Sequence, residues 1–455
     1  MTTTFPDSFR IQIFNLIKGC YVATCEDLNE LGDENENLKP ITSTLSSDLK
    51  KLFYLYNKRQ FGQQLKSLYE SIYNATWNQL IVDKGWNHVC WREAFIMGQM
   101  AGVACFYIVS DYKKSLEILD QSFILGAPKD IVVPLMKHIQ DLQQKSNESN
   151  CSPSPSNILP MMIEQVDKST FPIIKDEFKI PLFDLSITSN NFETFKSNYL
   201  TPQKPCVIRG DTKDWKCMEL WKDLNYFLSK YSDRLVPIEL GHNRLDSLAN
   251  KSEQQQEVED WEEKIMTFSK FINEYMVPCS LEKDSSKIKS KSVGYLAQHN
   301  LIEQLPCLLD DFKNPSFLST LESNSETNFT ISPHVWFGTG NTITPLHFDS
   351  YDNFLAQIVG YKYIRLYHPN QKPNLYISTT NSNNEKSKKT AQNNISLVDI
   401  ENPDFIKYPL LLEANKSYMD AILEPGDMLF LPNLYWHYVR SLSPSFSLSF
   451  WFSNK

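Results

Sequence analysis

The run WFGTGNTITPLHFDSYDNFLAQIVGYKYIRLYHP (336–369) decides the fold. From about residue 329 onward polar and apolar residues alternate in short bursts, and NFLAQIVG (353–360) and YKYIRLYHP (361–369) are rich in β-branched and aromatic side chains. Such bursts suit a pleated, half-buried surface, so the run predicts consecutive short strands. Further bursts flank it: FTISPHVWFG (329–338), YMDAILEPGDMLFLP (418–432), YWHYVRSL (435–442) and FSLSFWFS (446–453). Pro425-Gly426-Asp427 marks a tight turn inside the second of these. Strands in series imply an antiparallel sandwich or a jelly-roll barrel.

Upstream the period is helical. Around Lys50–Tyr73 apolar residues recur at helical spacing (Leu52, Tyr56, Phe61, Leu65, Tyr69, Ile72), and Trp91–Tyr107 and Tyr112–Leu125 continue the pattern. Gly126-Ala127-Pro128 reads as a helix stop. The stretch SDYKKSLEILDQSFILGAP (110–128) is similar to half of a tetratricopeptide unit, which one copy cannot extend into a solenoid. The expected organisation is therefore α+β. A helical N-terminal domain (1–140) precedes a Ser/Pro-rich linker (141–170, opening DLQQKSNESNCSPSPSN) and a C-terminal barrel domain (171–455). Polar tracts at about 247–260 and 379–396 read as insertions in that barrel.

The chain has 455 residues, 41% hydrophobic and 22% charged, as soluble globular proteins do. Its formal charge of −9 argues against direct nucleic-acid binding. The basic cluster KDSSKIKSK (283–291) reads as a solvated loop, with a nuclear import signal as the sharper alternative. Nine cysteines without a CxxC pair make neither a disulfide framework nor a zinc site. No secretory pattern and no membrane-spanning apolar run are evident, so a nuclear or cytoplasmic protein without a membrane partner is expected.

The chemistry centres on His347-Phe348-Asp349 and on the distant His437 of LPNLYWHYVR (431–440). Two histidines and a carboxylate form the facial triad of non-haem Fe(II) oxygenases, which leaves iron positions open. Residues i and i+2 of a strand point to one side, so His347 and Asp349 can share a metal. Lys362 shares parity with Ile364 and Leu366, so it points inward and needs an anionic partner or a large pKa shift. A lysine snorkelling from the strand end is the competing reading. In the last strand Phe446, Leu448, Phe450 and Phe452 form one face, and Ser445, Ser447, Ser449 and Trp451 the other. The small polar face leaves room for a ligand or simply meets solvent.

Together with GYLAQHNLIEQLP (294–306) and EPGDMLFLPNLYWHYVRSLSPSFSLSFWFS (424–453), the 336–369 run resembles the jumonji-C oxygenases, over roughly residues 170–455. That resemblance implies a double-stranded β-helix of cupin type and a dioxygenase that couples 2-oxoglutarate, O2 and Fe(II) to hydroxylation of a protein or peptide side chain. It assigns His347, Asp349 and His437 to iron, and Lys362 to the distal carboxylate of 2-oxoglutarate with Tyr295, Thr344 and Asn353 in support. Glu239 (in VPIELG, 236–241), Gln298, Trp336 and Trp451 should line the substrate pocket. Arginine is the favoured target, because guanidinium pairs with carboxylates and stacks on rings, and methyl-lysine in a histone is the nearest rival. A peptidase, a zinc hydrolase or a non-catalytic cupin-like binding protein are rivals of other classes. The segment GHNRLDSLANKSEQQQEVED (241–260) departs from the family pattern at the expected rim of the substrate cleft.

Overall fold

The computed structural model describes residues 5–81, 88–148, 166–188, 191–241, 261–281, 293–324, 326–377 and 394–454. The tracts 247–260, 283–291 and 379–393, and most of the linker, lie outside these residues. The chain divides into two compact units: Met1–Ser156 with Asp233–Val236, and Asn157–Ser232 with Pro237–Lys455.

Among the described residues the first unit holds six helices: α1 (Asp7–Glu34), α2 (Lys39–Asn57), α3 (Gln63–Ile81), α4 (Val89–Ile108), α5 (Tyr112–Ile124) and α6 (Lys129–Glu148). α4 is apolar nearly all round and buried through most of its length, as a central helix should be. The regular spacing across Lys50–Tyr73 belongs to two helices rather than one. Arg59, at φ 57°, breaks them, and Phe61 folds back edge-on to Tyr56. α6 runs eight residues into the tract read as linker, because Leu142 still packs on the helical core and the residues around it favour helix. Within this unit the buried Asp120 takes a forked pair from Arg234, at 2.6 and 2.9 Å. Among the described residues no helix is long and apolar enough to cross a membrane.

The second unit carries β1 (Leu182–Asp184), β2 (Cys206–Arg209), β3 (Leu235–Gly241, which begins in the segment grouped with the first unit), β4 (Trp261–Thr267), β5 (Val293–His299), β6 (Thr327–Thr330) and β7 (His334–Gly338). β8 (Ile343–Phe348), β9 (Asp352–Val359), β10 (Lys362–Tyr367), β11 (Met419–Leu423), β12 (Asp427–Leu431), β13 (Trp436–Ser441) and β14 (Ser445–Asn454) follow. One sheet runs β1-β2-β12-β9-β14-β7-β5-β3-β4, with β6 added beside β14, and a second runs β11-β10-β13-β8. Strands β1 to β5 were not read from periodicity. They are short, and helical segments separate β1 from β2, β2 from β3 and β4 from β5.

Leu355, Leu429 and Leu431 of the large sheet meet Ile364, Leu366 and Leu423 of the small one, closing the inner core. The outer face of the large sheet is aromatic. Phe446 of β14 lies 4.5 Å from Trp221, 4.9 Å from Phe337 and 5.7 Å from Phe227. The alternate serines Ser445, Ser447 and Ser449 are fully buried on the inner face, which removes the reading that they meet solvent. Two glycines serve the interior directly. Gly360, at φ +82°, makes the turn that delivers Lys362, and a side chain there would strike the Pro444 carbonyl. At Gly338 a Cβ would sit 2.6 Å from the ring of Tyr295.

Truncating Phe446 should leave a cavity among these rings. Phe446→Ala is expected to destabilise the barrel unit by ~3–5 kcal/mol, read as a lower denaturant midpoint at unchanged slope.

Candidate active site

Antiparallel pairing of β8 with β13 sets His437 directly opposite His347. Their rings lie 4.0 Å apart, centroid to centroid. Asp349 follows the end of β8, with Oδ1 4.0 Å from His347 Nε2 and Oδ2 3.9 Å from His437 Nε2. The ligand atoms of all three groups lie within 4.8 Å of one another, near the ~4.4 Å that two metal–ligand bonds of ~2.0–2.2 Å span, so they could hold one ion.

Backbone carbonyls fix both imidazoles. His347 Nδ1 sits 2.8 Å from the Pro345 carbonyl and His437 Nδ1 3.1 Å from that of Tyr435, so each Nδ1–H donates and each Nε2 keeps its lone pair. Burial, reinforced by His347, holds His437 well below the ordinary imidazole range and therefore neutral, as a ligand must be. Asp349 is fixed through two further contacts. Its backbone carbonyl accepts from Leu434 N–H at 2.8 Å, and Trp451 Nε1–H donates to Oδ2 at 3.2 Å.

Next to this cluster lies a narrow cavity of about 40 Å³, lined by Tyr295, Thr344, Asn353 and Lys362 and by Gln298, Trp336 and Trp451. The structure thus brings ten of the eleven expected site residues to one place. Lys362 is buried with no ion-pair partner among the described residues. Desolvation pushes its ammonium down to about 7, and its Nζ stands 5.8 Å from the centre of the Tyr295 ring. Snorkelling is excluded by that burial. Tyr295 is hydrogen-bonded to Thr344, and burial raises its phenol out of the titrating range. Ser449 Oγ accepts from Trp336 Nε1 at 2.9 Å and from Asn353 Nδ2 at 3.4 Å, while Asn353 Oδ1 is buried without a partner. Gln298 stands at the bulge of β5 with φ 50°, a sparsely populated backbone state for a non-glycine residue.

Glu239 is the exception. It does not line the cavity but lies opposite Tyr295 across the β3–β5 pair, on the same face one strand outward. Burial, then the nearby Glu263, raises its carboxyl to about 7. Sequence reasoning missed Leu355, Leu431 and Val439, which line the cavity as ordinary inward-facing strand residues. It also misplaced the end of the second polar tract. Residues 394–396 bridge to the outer side of β8, where Ser396 N–H donates to Leu346 O at 2.8 Å and Ile395 pairs with His347.

A sequence profile of the cupin-like domain matches residues 192–455. The chain is 51% identical to JmjC domain-containing protein F of Dictyostelium discoideum, over 99% of this chain and 100% of that protein. It is 29% identical to lysine-specific demethylase JMJ30 of Arabidopsis thaliana, over 93% and 96% of the two chains. Identity to lysine-specific demethylase 8 of Xenopus tropicalis is 37%, over 64% of this chain and 56% of that protein. With its α+β architecture and clustered His-Asp-His set, this chain belongs to the cupin-like JmjC family and is a 2-oxoglutarate-dependent oxygenase.

Proposed function

We propose that this oxygenase hydroxylates a protein side chain, arginine in the first place, with Fe(II) held by His347, Asp349 and His437. The observation that carries the reading is the convergence of the three donor groups beside a buried lysine that lacks a carboxylate partner among the described residues. Bound there, the metal supplies oxidation of 2-oxoglutarate and substrate by O2, giving succinate, CO2 and a hydroxylated product. Lys362 would pair with the distal carboxylate, and the Tyr295–Thr344 pair would flank it. A turn of the Asn353 amide would let the Ser449 hydroxyl donate to its oxygen and aim its NH2 at the same anion. Trp336 and Trp451, 6.4 Å apart and inclined at 68°, would enclose the target side chain. Glu239, outside the cavity lining and one strand beyond Tyr295, would have to meet a guanidinium beyond the indoles, where an arriving cation would draw off the proton that burial favours. Gln298 supplies a neutral hydrogen-bonding group at the mouth. Methyl-lysine is the second reading, favoured by the demethylase names of two of the relatives. Hydroxylation of its N-methyl group would release formaldehyde from the same site. A nuclear or cytoplasmic location goes with such substrates.

The anion site makes a signed prediction. Without a bound anion Lys362 is charged below about pH 7 and neutral above it. A dicarboxylate selects the charged form, so 2-oxoglutarate affinity should fall as pH rises above about 7, by up to ~tenfold per unit. Lys362→Met should flatten that profile and cost ~3–5 kcal/mol, over a hundredfold, in calorimetric titration. A pH-independent affinity in both proteins would remove the lysine from the site.

Trp451→Phe keeps a ring but deletes the N–H that holds Asp349. Co(II) titration of the metal-free protein should show affinity lowered by ~10–100-fold. Trp336→Phe, whose N–H serves Ser449 instead, should leave it intact. Equal affinity in wild type and Trp451→Phe would mean that the indole does not support the carboxylate.

Substrate choice is tested by mass spectrometry of arginine and methyl-lysine peptides after turnover. The expected product is arginine gaining one oxygen, strongly reduced in Glu239→Gln while 2-oxoglutarate affinity persists. Formaldehyde release with no oxidised arginine would establish the second reading.

A further inference from the structure

The inner face of β14 does not stop at Trp451. Ser453 continues it by alternation, and the register of β6 sets Phe329 opposite Ser453. Cross-strand neighbours share a face, so Phe329 stands on the Trp451 side of the sheet, further out toward the strand end. Its ring is 43% exposed and meets Tyr351, 40% exposed, edge-on at 5.3 Å. Tyr351 belongs to the short segment between Asp349 and β9. The same face of the sheet therefore carries Trp451 in the cavity and, beyond Ser453, a pair of rings in solvent. Tyr351, Ser350 and Asn433 also border a separate polar cavity of about 410 Å³, whose wall includes Asp352 and the Lys196–Glu326 ion pair (2.7 Å).

We propose that Phe329 and Tyr351 form the platform for the polypeptide substrate immediately beyond the oxidised residue, with an apolar side chain on the rings and a hydrogen-bonding one in the polar cavity. This rests on the reading of a protein side chain as substrate. A side chain that enters the inner cavity brings main chain on both sides. That cavity has no room for it, so the chain must leave over the mouth. Large rings paired in solvent, on the face of the sheet that carries Trp451, offer a surface to it there. Aromatic anchors of this kind carry much of the energy of peptide recognition.

The test uses the full chain with Fe(II) and 2-oxoglutarate, on peptide pools with arginine or dimethyl-lysine fixed centrally and the flanks randomised. N-acetyl-arginine amide and N-acetyl-dimethyl-lysine amide serve as single-residue substrates. In Phe329→Ala/Tyr351→Ala, KM for the pools should rise roughly tenfold or more with kcat retained, and the preference for an apolar flanking residue should vanish. Turnover of the single-residue substrates should hold, and Tyr351→Phe should behave as wild type. Unchanged KM for the pools, or an equal loss on the single-residue substrates, overturns the platform. A wild-type protein that oxidises neither pool overturns the protein-substrate reading and the platform with it. If wild type dimerises in sedimentation and the double variant does not, the rings serve a second copy of the chain instead.

Discussion

The pairing register of β8 with β13 is the constraint on which the site depends. It brings His437 opposite His347, although the two are far apart in the chain. The same strand β13 pairs on its other side with β10, setting Lys362 opposite Ser441 and the small sheet's inward side chains in one row. A slip of one residue would turn either histidine to the outer face, where Leu346, Trp436 and Tyr438 pack. The bulge between His437 and Val439 absorbs the mismatch beyond the metal end, so that Val439 meets Thr344 and both still face inward.

β14 shows how one alternating strand serves two purposes. Its phenylalanines knit the large sheet to the helical segments behind it, while its serines keep the interior narrow and hydrogen-bonded. Ser447 donates to Gln357 at 2.7 Å, and Ser441 and Ser445 extend a hydroxyl chain from Thr342. Small polar side chains thus fill the closed end of the barrel, and the open end is left to the metal-holding groups and the indoles.

Much of this was legible because alternation reports which face a residue occupies. The inward parity of Lys362, the two faces of β14 and the shared side of His347 and Asp349 follow from spacing alone. What spacing does not report is which strand lies next to which. The family resemblance puts Glu239 in one pocket with Trp336, and spacing could not correct it, whereas the β3–β5–β7 order sets it one strand beyond Tyr295. The strands before residue 300 were hidden for a related reason. Strands of three to seven residues between helical segments give too few alternations to reveal a period. The extension of α6 into polar sequence reflects helix propensity and one packed leucine prevailing over a composition that reads as linker.

Between β10 and β11 the chain leaves the small sheet, and it returns in residues 394–396. Ile377 bridges Ser396 and the Ser396 hydroxyl donates to Leu375 at 2.5 Å, so the departing and returning strands are stapled to each other before either reaches His347. The sheet thereby fixes the two ends independently of how much chain lies between them. Lengthening such a closed span is cheap, at roughly 0.6 kcal/mol per doubling. The staple also shores up the metal end of β8 from its free edge, since Ile395, one residue before the stapled Ser396, pairs with the backbone of His347.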